Sequence, residues 1–189
     1  MWNKLIIIVL SMMFFFTGCS NTWHNPVEKN KPVEAKDFMM GTVITQKVYG
    51  ENAKKAVDEV SEKLKQIEST LTINAPGGEV NKLNESAGKG SIQLSNETIY
   101  LLEKAKHFAE LSNGAFDVTI GPLVKAWGVF TENPRVPSED EIKNLLKLVD
   151  YKSIIFDKKT SSAMLKKAGQ IVDLGGIAKG YAGDEDIKI

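Results

Sequence analysis

A single cysteine, Cys19, is the feature that most restricts how this 189-residue chain can fold. With one thiol the folded part has no internal disulfide, so apolar packing must hold it together. Hydrophobic residues make up 42% of the sequence and charged residues 25%, which suffices for a packed core. Because 24 basic residues balance 24 acidic ones, the net charge gives no support for nucleic-acid binding.

The residues before Cys19 have the pattern of an export signal. Lys4 precedes an apolar run from Leu5 to Phe16, and Thr17-Gly18 stands directly before the cysteine. The run is shorter than the roughly 20 residues that a membrane-spanning helix needs, so we interpret 1–18 as a signal peptide. The cysteine resembles that of a bacterial lipobox, which predicts a palmitate-bearing lipoprotein anchored to the extracytoplasmic face of the cell membrane. The alternatives are an ordinary signal peptide with an incidental cysteine and an uncleaved anchor.

Three regions follow the signal. Residues 19–36 form the lipidated N-terminus and a polar tether that has two prolines and no apolar period. The folded domain is predicted to cover 37–182. The acidic end, 183–189, is predicted to be a divergent, solvated tail, because it lacks an apolar period and starts with Gly183, which weakens a helix.

Within 37–182 the apolar pattern predicts strands and helices without a regular βαβ alternation. Segments rich in β-branched and apolar residues predict strands, at Thr42–Val48, Ser153–Phe156, Ser162–Leu165 and Ile171–Leu174. Apolar residues at helical spacing, with capping signals, predict helices, over Ala53–Leu71, over Glu97–Leu111 and after Ser138. We therefore predict an α+β fold in which a mixed sheet packs against helices.

Three short segments are richer in glycine or more unusual than a core requires, namely Met39–Thr42, Gly114–Leu123 and Val172–Ala182. The third is typical of a strand that ends in a Gly-Gly turn and enters a helix. Such a turn lets backbone N–H groups approach an anionic ligand, and Lys179 adds a positive charge. Alone, the pattern suits a tight structural turn equally well, since neither Walker A nor dinucleotide-type glycine spacing is present.

Together and in this order, the sequences GAFDVTIGPL and DLGGIAKGYA resemble motifs of the ApbE-type FAD:protein FMN transferase family. The similarity covers 37–182, so the resemblance implies an ApbE-like α+β domain. It further implies a flavoprotein transferase that uses Mg²⁺ and moves FMN from FAD to a threonine or serine hydroxyl of an exported target protein, with release of AMP. The alternatives are a FAD pyrophosphate hydrolase that releases FMN and AMP, and a non-enzymatic flavin-binding lipoprotein.

The resemblance also assigns site residues by motif position. Residues expected at the FAD site are Met40, Ala115, Phe116, Asp117, Asp173 and Lys179. Gly176 stands where the family supplies one metal ligand, which for glycine is the backbone carbonyl. Met40 and Phe116 also suit a hydrophobic core, and Asp117 suits the cap of a following helix, so these structural roles stay open.

Two departures from the family bear on activity. Asn74 occupies a position where many members have a tyrosine that can stack on the flavin, and an asparagine leaves more room for water. Beyond Ala182 the family continues with a section that supplies the remaining metal ligands and a histidine near the flavin. The catalytic residues are expected in that section, so the chain as given is predicted to be a truncated and inactive form.

Overall fold

The computed structural model describes residues 31–74, 76–129 and 131–189. The signal peptide at 1–18, the lipidation site Cys19 and the tether up to residue 30 lie outside the described residues, so those expectations stay predictions. Across the described ranges, no helix combines the length and the apolar character that crossing a bilayer requires.

The described chain begins with a β-hairpin. β1 (Val33–Met39) pairs antiparallel with β2 (Thr42–Val48), so the predicted strand at 42–48 is confirmed. The expected domain start at Asp37 is four residues late, because Val33–Lys36 belong to β1 rather than to the tether. Alternate residues of β1 are exposed, and two of them, Glu34 and Lys36, are charged, which makes the start of this strand resemble a linker in sequence.

Two long helices form the body of the fold and confirm the predicted helical segments. α1 (Ala53–Leu71) buries the apolar stripe that its spacing predicted, with Ala53, Val57, Val60, Leu64, Ile67 and Leu71. Between the long helices, the short α2 (Glu79–Glu85) adds two fully buried side chains, Val80 and Leu83. α3 (Asn96–Leu111) begins after Ser95, whose hydroxyl accepts a hydrogen bond from the Thr98 N–H at 3.1 Å, as an N-cap should.

The described residues also form three further α-helices and a small sheet. α4 (Gly121–Trp127) and α5 (Glu139–Leu146) are short, and α6 covers Gly175–Asp186. Three strands pair antiparallel in the order β3-β5-β4, namely β3 (Ile92–Gln93), β4 (Ile154–Asp157) and β5 (Ser162–Leu165). The fold is α+β, with antiparallel sheets in the described residues and one isolated parallel bridge between Ile120 and Ile171.

The strand expected at Ile171–Leu174 does not form beyond that single bridge. The backbone groups of Val172 are instead satisfied by the side chain of Asn84 on α2. The Asn84 Nδ2 donates to the Val172 carbonyl at 3.0 Å, and its Oδ1 accepts from the Val172 N–H at 2.7 Å. Because a side chain replaces the neighbouring strand, the segment is buried without belonging to a sheet.

α6 continues past Ala182, where the sequence predicted the folded domain to end. Gly183 lies inside the helix, and Glu185 and Asp186 are half-buried. The Tyr181 hydroxyl donates to the Glu97 carboxylate on α3 at 2.7 Å, and burial with this bond raises the pKa of Tyr181, which keeps the donor protonated. Packing therefore sustains the helix through a glycine that weakens it locally, and the predicted solvated tail is helical as far as Asp186.

One hydrophobic core lies between these helices and the β3-β5-β4 sheet. Its most deeply buried large side chains are Leu64, Ile67, Leu83, Leu101, Leu102, Ile154, Leu165 and Leu174, each at most 2% exposed. Leu174 immediately precedes α6, so the core fixes the start of this helix. The glycine-rich segments thus lie against the packed hydrophobic core.

Candidate functional site

A cavity of about 710 Å³ lies where the β1–β2 turn, the end of α1, the loop before α4 and the start of α6 meet. All eight residues that the resemblance assigns to FAD or metal line this cavity, namely Met40, Asn74, Ala115, Phe116, Asp117, Asp173, Gly176 and Lys179. The structure therefore brings together segments that are far apart in sequence. What these residues bind stays a prediction.

Apolar residues that sequence reasoning did not assign form much of the remaining wall. They are Leu71, Ile73, Val118, Ile120, Val124, Val129, Leu146 and Val149. In sequence these residues are indistinguishable from core positions, so no local signal identifies them. Glu68 also lines the cavity and was missed, although an acidic residue in the last turn of a helix is unfavourable enough to be a signal.

The turn between β1 and β2 presents Met40 to the cavity. Met40 and Gly41 both have positive φ, 53° and 69°, as a two-residue type I′ hairpin turn requires. For a residue with a side chain this conformation costs on the order of 1 kcal/mol. The Met40 N–H donates to the Glu68 Oε1 at 2.6 Å, so a bond from α1 stabilises the strained residue.

The carboxylate of Asp117 is fully engaged within the protein. Its Oδ1 accepts from the Thr119 N–H at 2.8 Å and from the Thr119 hydroxyl at 2.6 Å, and its Oδ2 accepts from the Tyr151 N–H at 2.9 Å. The alternative that Asp117 caps the following helix is wrong, because the N-cap residue of α4 is Ile120 and no side chain caps it. Asp117 instead joins two loops of the cavity wall.

A buried polar network continues from this junction. The Thr119 hydroxyl accepts from the Asp150 N–H at 2.7 Å. Gln170, which is fully buried, donates from Nε2 to the carbonyls of Leu148 and Asp150 at 3.0 and 3.2 Å. The Ser153 hydroxyl donates to the Gln170 Oε1 at 2.8 Å. The loop that carries Asp117 is therefore fixed by satisfied buried groups rather than by apolar packing alone.

Gly176 lies against the ring of Phe116. A Cβ at Gly176 would stand 3.0 Å from the Phe116 Cε2, which is closer than ordinary van der Waals contact. Phe116 is half-buried and packs against the hydrophobic core. Glycine at this position of Val172–Ala182 therefore allows a close approach that a larger residue would hinder, whether or not its carbonyl binds a metal.

Asp173 is placed differently from Asp117. Its N–H donates to the Val118 carbonyl at 2.7 Å, which fixes its backbone. Its Oδ1 accepts from the Gly175 N–H at 2.9 Å, and its Oδ2 has no hydrogen-bond partner among the described residues. Asp173 is half-buried and lines the cavity, so one carboxylate oxygen is free to meet a ligand or a cation.

Positive charge gathers at the start of α6. This 12-residue helix begins at Gly175, and the N-terminus of a helix carries a partial positive charge and unpaired N–H groups. Lys179, one turn further on, is exposed, lines the cavity and forms no ion pair within the described ranges. This combination suits a phosphate group.

The described residues supply only part of a magnesium site. Mg²⁺ takes about six oxygen ligands in a near-octahedral arrangement. Here the candidate donors are the free Asp173 oxygen and the Gly176 carbonyl, and the described ranges hold no group of three or more His, Cys, Asp or Glu side chains suited to a metal ion. These donors do not fit a complete protein site, so we derive no chemical step through a metal.

Known proteins resemble the chain in sequence. A sequence model described as the ApbE family matches residues 40–189. The FAD:protein FMN transferase of Klebsiella pneumoniae (strain 342) is 34% identical over 155 residues, covering 82% of this chain and 49% of that protein. The FAD:protein FMN transferase of Treponema pallidum (strain Nichols) is 30% identical over 162 residues, covering 81% and 45%. The chain thus spans about half the length of the curated relatives it matches.

Solved structures agree with the sequence comparison. The crystal structure of the ApbE protein from Thermotoga maritima matches with a TM-score of 0.79 and 36% identity, over 84% of this chain and 52% of that chain. The flavin transferase ApbE from Vibrio cholerae matches with a TM-score of 0.75 at 23% identity, over the same shares, and supports the fold alone. The expected resemblance is therefore confirmed: with a family match over residues 40–189 and a shared fold, this protein belongs to the ApbE family.

Proposed function

We propose that the cavity binds FAD and that the protein is a FAD:protein FMN transferase. The observation that carries the proposal is the convergence of both glycine-rich segments, Gly114–Leu123 and Val172–Ala182, on one cavity of about 710 Å³. Small-molecule sites occupy about 300–1,000 Å³. The names of the Klebsiella pneumoniae and Treponema pallidum relatives support the same activity.

The cavity offers complementary surfaces to the two ends of such a ligand. Apolar side chains, among them Phe116, Ile73 and Val124, suit the flavin ring. The positive start of α6 and Lys179 suit the pyrophosphate. Asp173 lies beside these positive groups, where its free oxygen suits a cation or a hydroxyl of the ligand.

In the proposed reaction, a threonine or serine hydroxyl of an exported target protein attacks the FMN phosphorus of FAD. A phosphoester to FMN forms, the pyrophosphate bond breaks, AMP leaves, and the hydroxyl proton is released. The described residues contribute by binding and orienting FAD, which is the main protein contribution in phosphoryl transfer. Dependence on Mg²⁺ belongs to the proposal, since Mg²⁺ neutralises phosphate charge in such reactions.

One observation favours a second activity, hydrolysis of FAD to FMN and AMP. Asn74 lines the cavity and is exposed. Its short polar side chain leaves space for water beside the ligand, whereas an aromatic ring would exclude it. In this second reaction water takes the place of the target hydroxyl.

We also propose that Cys19 carries a lipid that anchors the protein to the extracytoplasmic face of the membrane. The support is the sequence pattern before the cysteine. Mass spectrometry of the mature N-terminus should find a diacylglyceryl-modified cysteine. A mature chain that starts elsewhere, or a soluble chain that retains an unmodified Cys19, would contradict this.

The activity is tested with purified residues 20–189, FAD, an acceptor protein and either Mg²⁺ or EDTA. FAD binding should quench flavin fluorescence, and Lys179→Ala should weaken binding by about tenfold, as expected for the loss of one charge-assisted contact. The matched control is Lys166→Ala, an exposed lysine away from the cavity. Release of AMP with labelled acceptor supports transfer, and release with free FMN supports hydrolysis. Absence of flavin binding would refute both functions.

A further inference from the structure

Met40 holds an unusual position in the cavity wall. Its φ of 53° lies in the left-handed region, which residues with a Cβ rarely adopt. The hairpin register pairs Met39 with Thr42, so the Met40 N–H takes no part in the ladder between the strands. The turn alone therefore leaves Met40 both strained and without a backbone partner.

Glu68 supplies that partner from α1. Its Oε1 accepts from the Met40 N–H at 2.6 Å, in a partly buried setting and across 28 positions of sequence. Hydrogen bonds to a charged group are stronger than bonds between neutral groups. Glu68 and Met40 both line the cavity, so this bond sets the shape of the wall.

The helix gives no local reason for an acidic residue at this place. Glu68 lies in the last turn of α1, and no basic residue accompanies it there. A carboxylate near the negative C-terminal end of a helix is unfavourable. The contact with Met40 offsets this cost. The Glu68 side chain therefore stabilises the turn rather than the helix.

A separate contact holds the hairpin on α1 further along the strands. The Gln46 Nε2 donates to the Ser61 hydroxyl at 2.8 Å, and the Ser61 hydroxyl donates to the Asp37 Oδ2 at 3.1 Å. Docking of the hairpin therefore does not depend on Glu68 alone. A change at Glu68 should alter the turn while the fold persists.

We propose that Glu68 is a positioning residue, which holds Met40 in the left-handed turn and thereby preforms the cavity wall for its ligand. The ligand part of this inference rests on the proposed binding of FAD. Preforming the wall removes the need to order it on binding, which strengthens affinity. Glu68 thus acts through the backbone of Met40.

The first experiment needs no flavin. Amide hydrogen exchange at Met40 should be about tenfold faster in Glu68→Ala than in the parent, because the N–H loses its acceptor. Glu68→Gln keeps an acceptor oxygen and should restore most of the protection. Glu62→Ala, which removes an exposed carboxylate from the same helix, should leave Met40 exchange unchanged. Unchanged exchange in Glu68→Ala would overturn the inference.

The second experiment measures FAD affinity in a double-mutant cycle. Glu68→Ala should weaken FAD binding by about tenfold in the parent, and by much less in a Met40→Gly background, because glycine adopts the left-handed turn without strain. An equal loss in both backgrounds would mean direct contact between Glu68 and FAD, and would overturn the positioning role. If the parent does not bind FAD, the proposed function fails, while the exchange experiment still decides whether Glu68 holds the turn.

Discussion

The two glycine-rich segments that meet at the cavity use their aspartates in opposite ways. In the first segment, Gly114–Leu123, Asp117 accepts three hydrogen bonds from Thr119 and Tyr151. In the second segment, Val172–Ala182, Asp173 accepts one bond, from the N–H of Gly175. Both oxygens of Asp117 therefore have partners within the protein, whereas Asp173 keeps one oxygen without a partner among the described residues.

This difference gives the two segments different roles: the first stabilises the cavity wall, and the second offers an unpaired carboxylate oxygen to a ligand. The first segment is fixed through Asp117 to the buried network around Gln170. The second segment is held by buried apolar side chains such as Leu174 and by backbone bonds to Asn84 and the Val118 carbonyl, none of which uses the second oxygen of Asp173. Motif position gives both aspartates the same role at the ligand, but Asp117 also holds its own loop against the loop that contains Tyr151.

Asp117→Ala should produce the largest effect, a loss of about 2–3 kcal/mol in the free energy of unfolding, because it leaves partly buried donors without an acceptor. Urea unfolding monitored by circular dichroism measures it. Asp173→Ala serves as the matched variant and should cost well under half as much. Equal losses for the two variants would remove the distinction between the segments.

Asp173→Ala should instead reduce ligand affinity. If its free oxygen meets FAD or a bound cation, the dissociation constant for FAD should rise about tenfold, or about 1.4 kcal/mol. Fluorescence titration at fixed Mg²⁺ concentration measures the change. An unchanged dissociation constant in this variant would show that Asp173 is as structural as Asp117.

Asn74→Tyr tests a part of the cavity wall that lies outside the two glycine-rich segments. An added aromatic ring should stack on the flavin and tighten FAD binding by about 1 kcal/mol. It should also lower the ratio of free FMN to transferred FMN, because the ring excludes water. Asn74→Ala is the control that removes the amide without adding a ring, and equal affinities in the two variants would mean that residue 74 does not face the flavin.

Two glycines of α6 allow a matched comparison of packing. Gly180→Ala should stabilise the protein by about 0.5–1 kcal/mol, since an added Cβ meets no atom within 4 Å and alanine favours the helix. Gly176→Ala should lose this benefit, because its Cβ would press on Phe116, and should also weaken flavin binding. Thermal unfolding of both variants compares them. Equal stabilisation would show that the Phe116 ring moves away freely.

Lys167→Met should have the smallest effect, visible as a pH dependence. The Lys167 ammonium lies 2.9 Å from the Asp150 Oδ2, and its hydrogen bond lowers the pKa of Asp150, with burial opposing. A lowered pKa stabilises the fold above the unfolded value of about 3.9. The parent should therefore have a higher free energy of unfolding than Lys167→Met at pH 7, and this difference should disappear as the pH falls below about 3.9. A difference that persists at low pH would have another cause.

The sequence by itself determined those elements whose causes are local. Apolar spacing fixed α1, and β-branched residues fixed β2. Capping residues located two helix starts, where Ser95 accepts from Thr98 and Ser138 accepts from the Glu141 N–H at 3.2 Å. The motif pair also identified the family and contains six of the eight assigned residues that line the cavity, because these residues hold fixed places within the motifs.

Only the tertiary structure decided features whose causes lie far away in sequence. The bond that joins Asp117 to a distant loop depends on the Tyr151 N–H, and the backbone of Val172 is paired by Asn84 instead of by a neighbouring strand. The close approach at Gly176 depends on the Phe116 ring. A hydrogen bond or a close contact depends on the distance between two groups in the folded protein. The conformational propensity of a short segment does not identify which distant residue will be its partner.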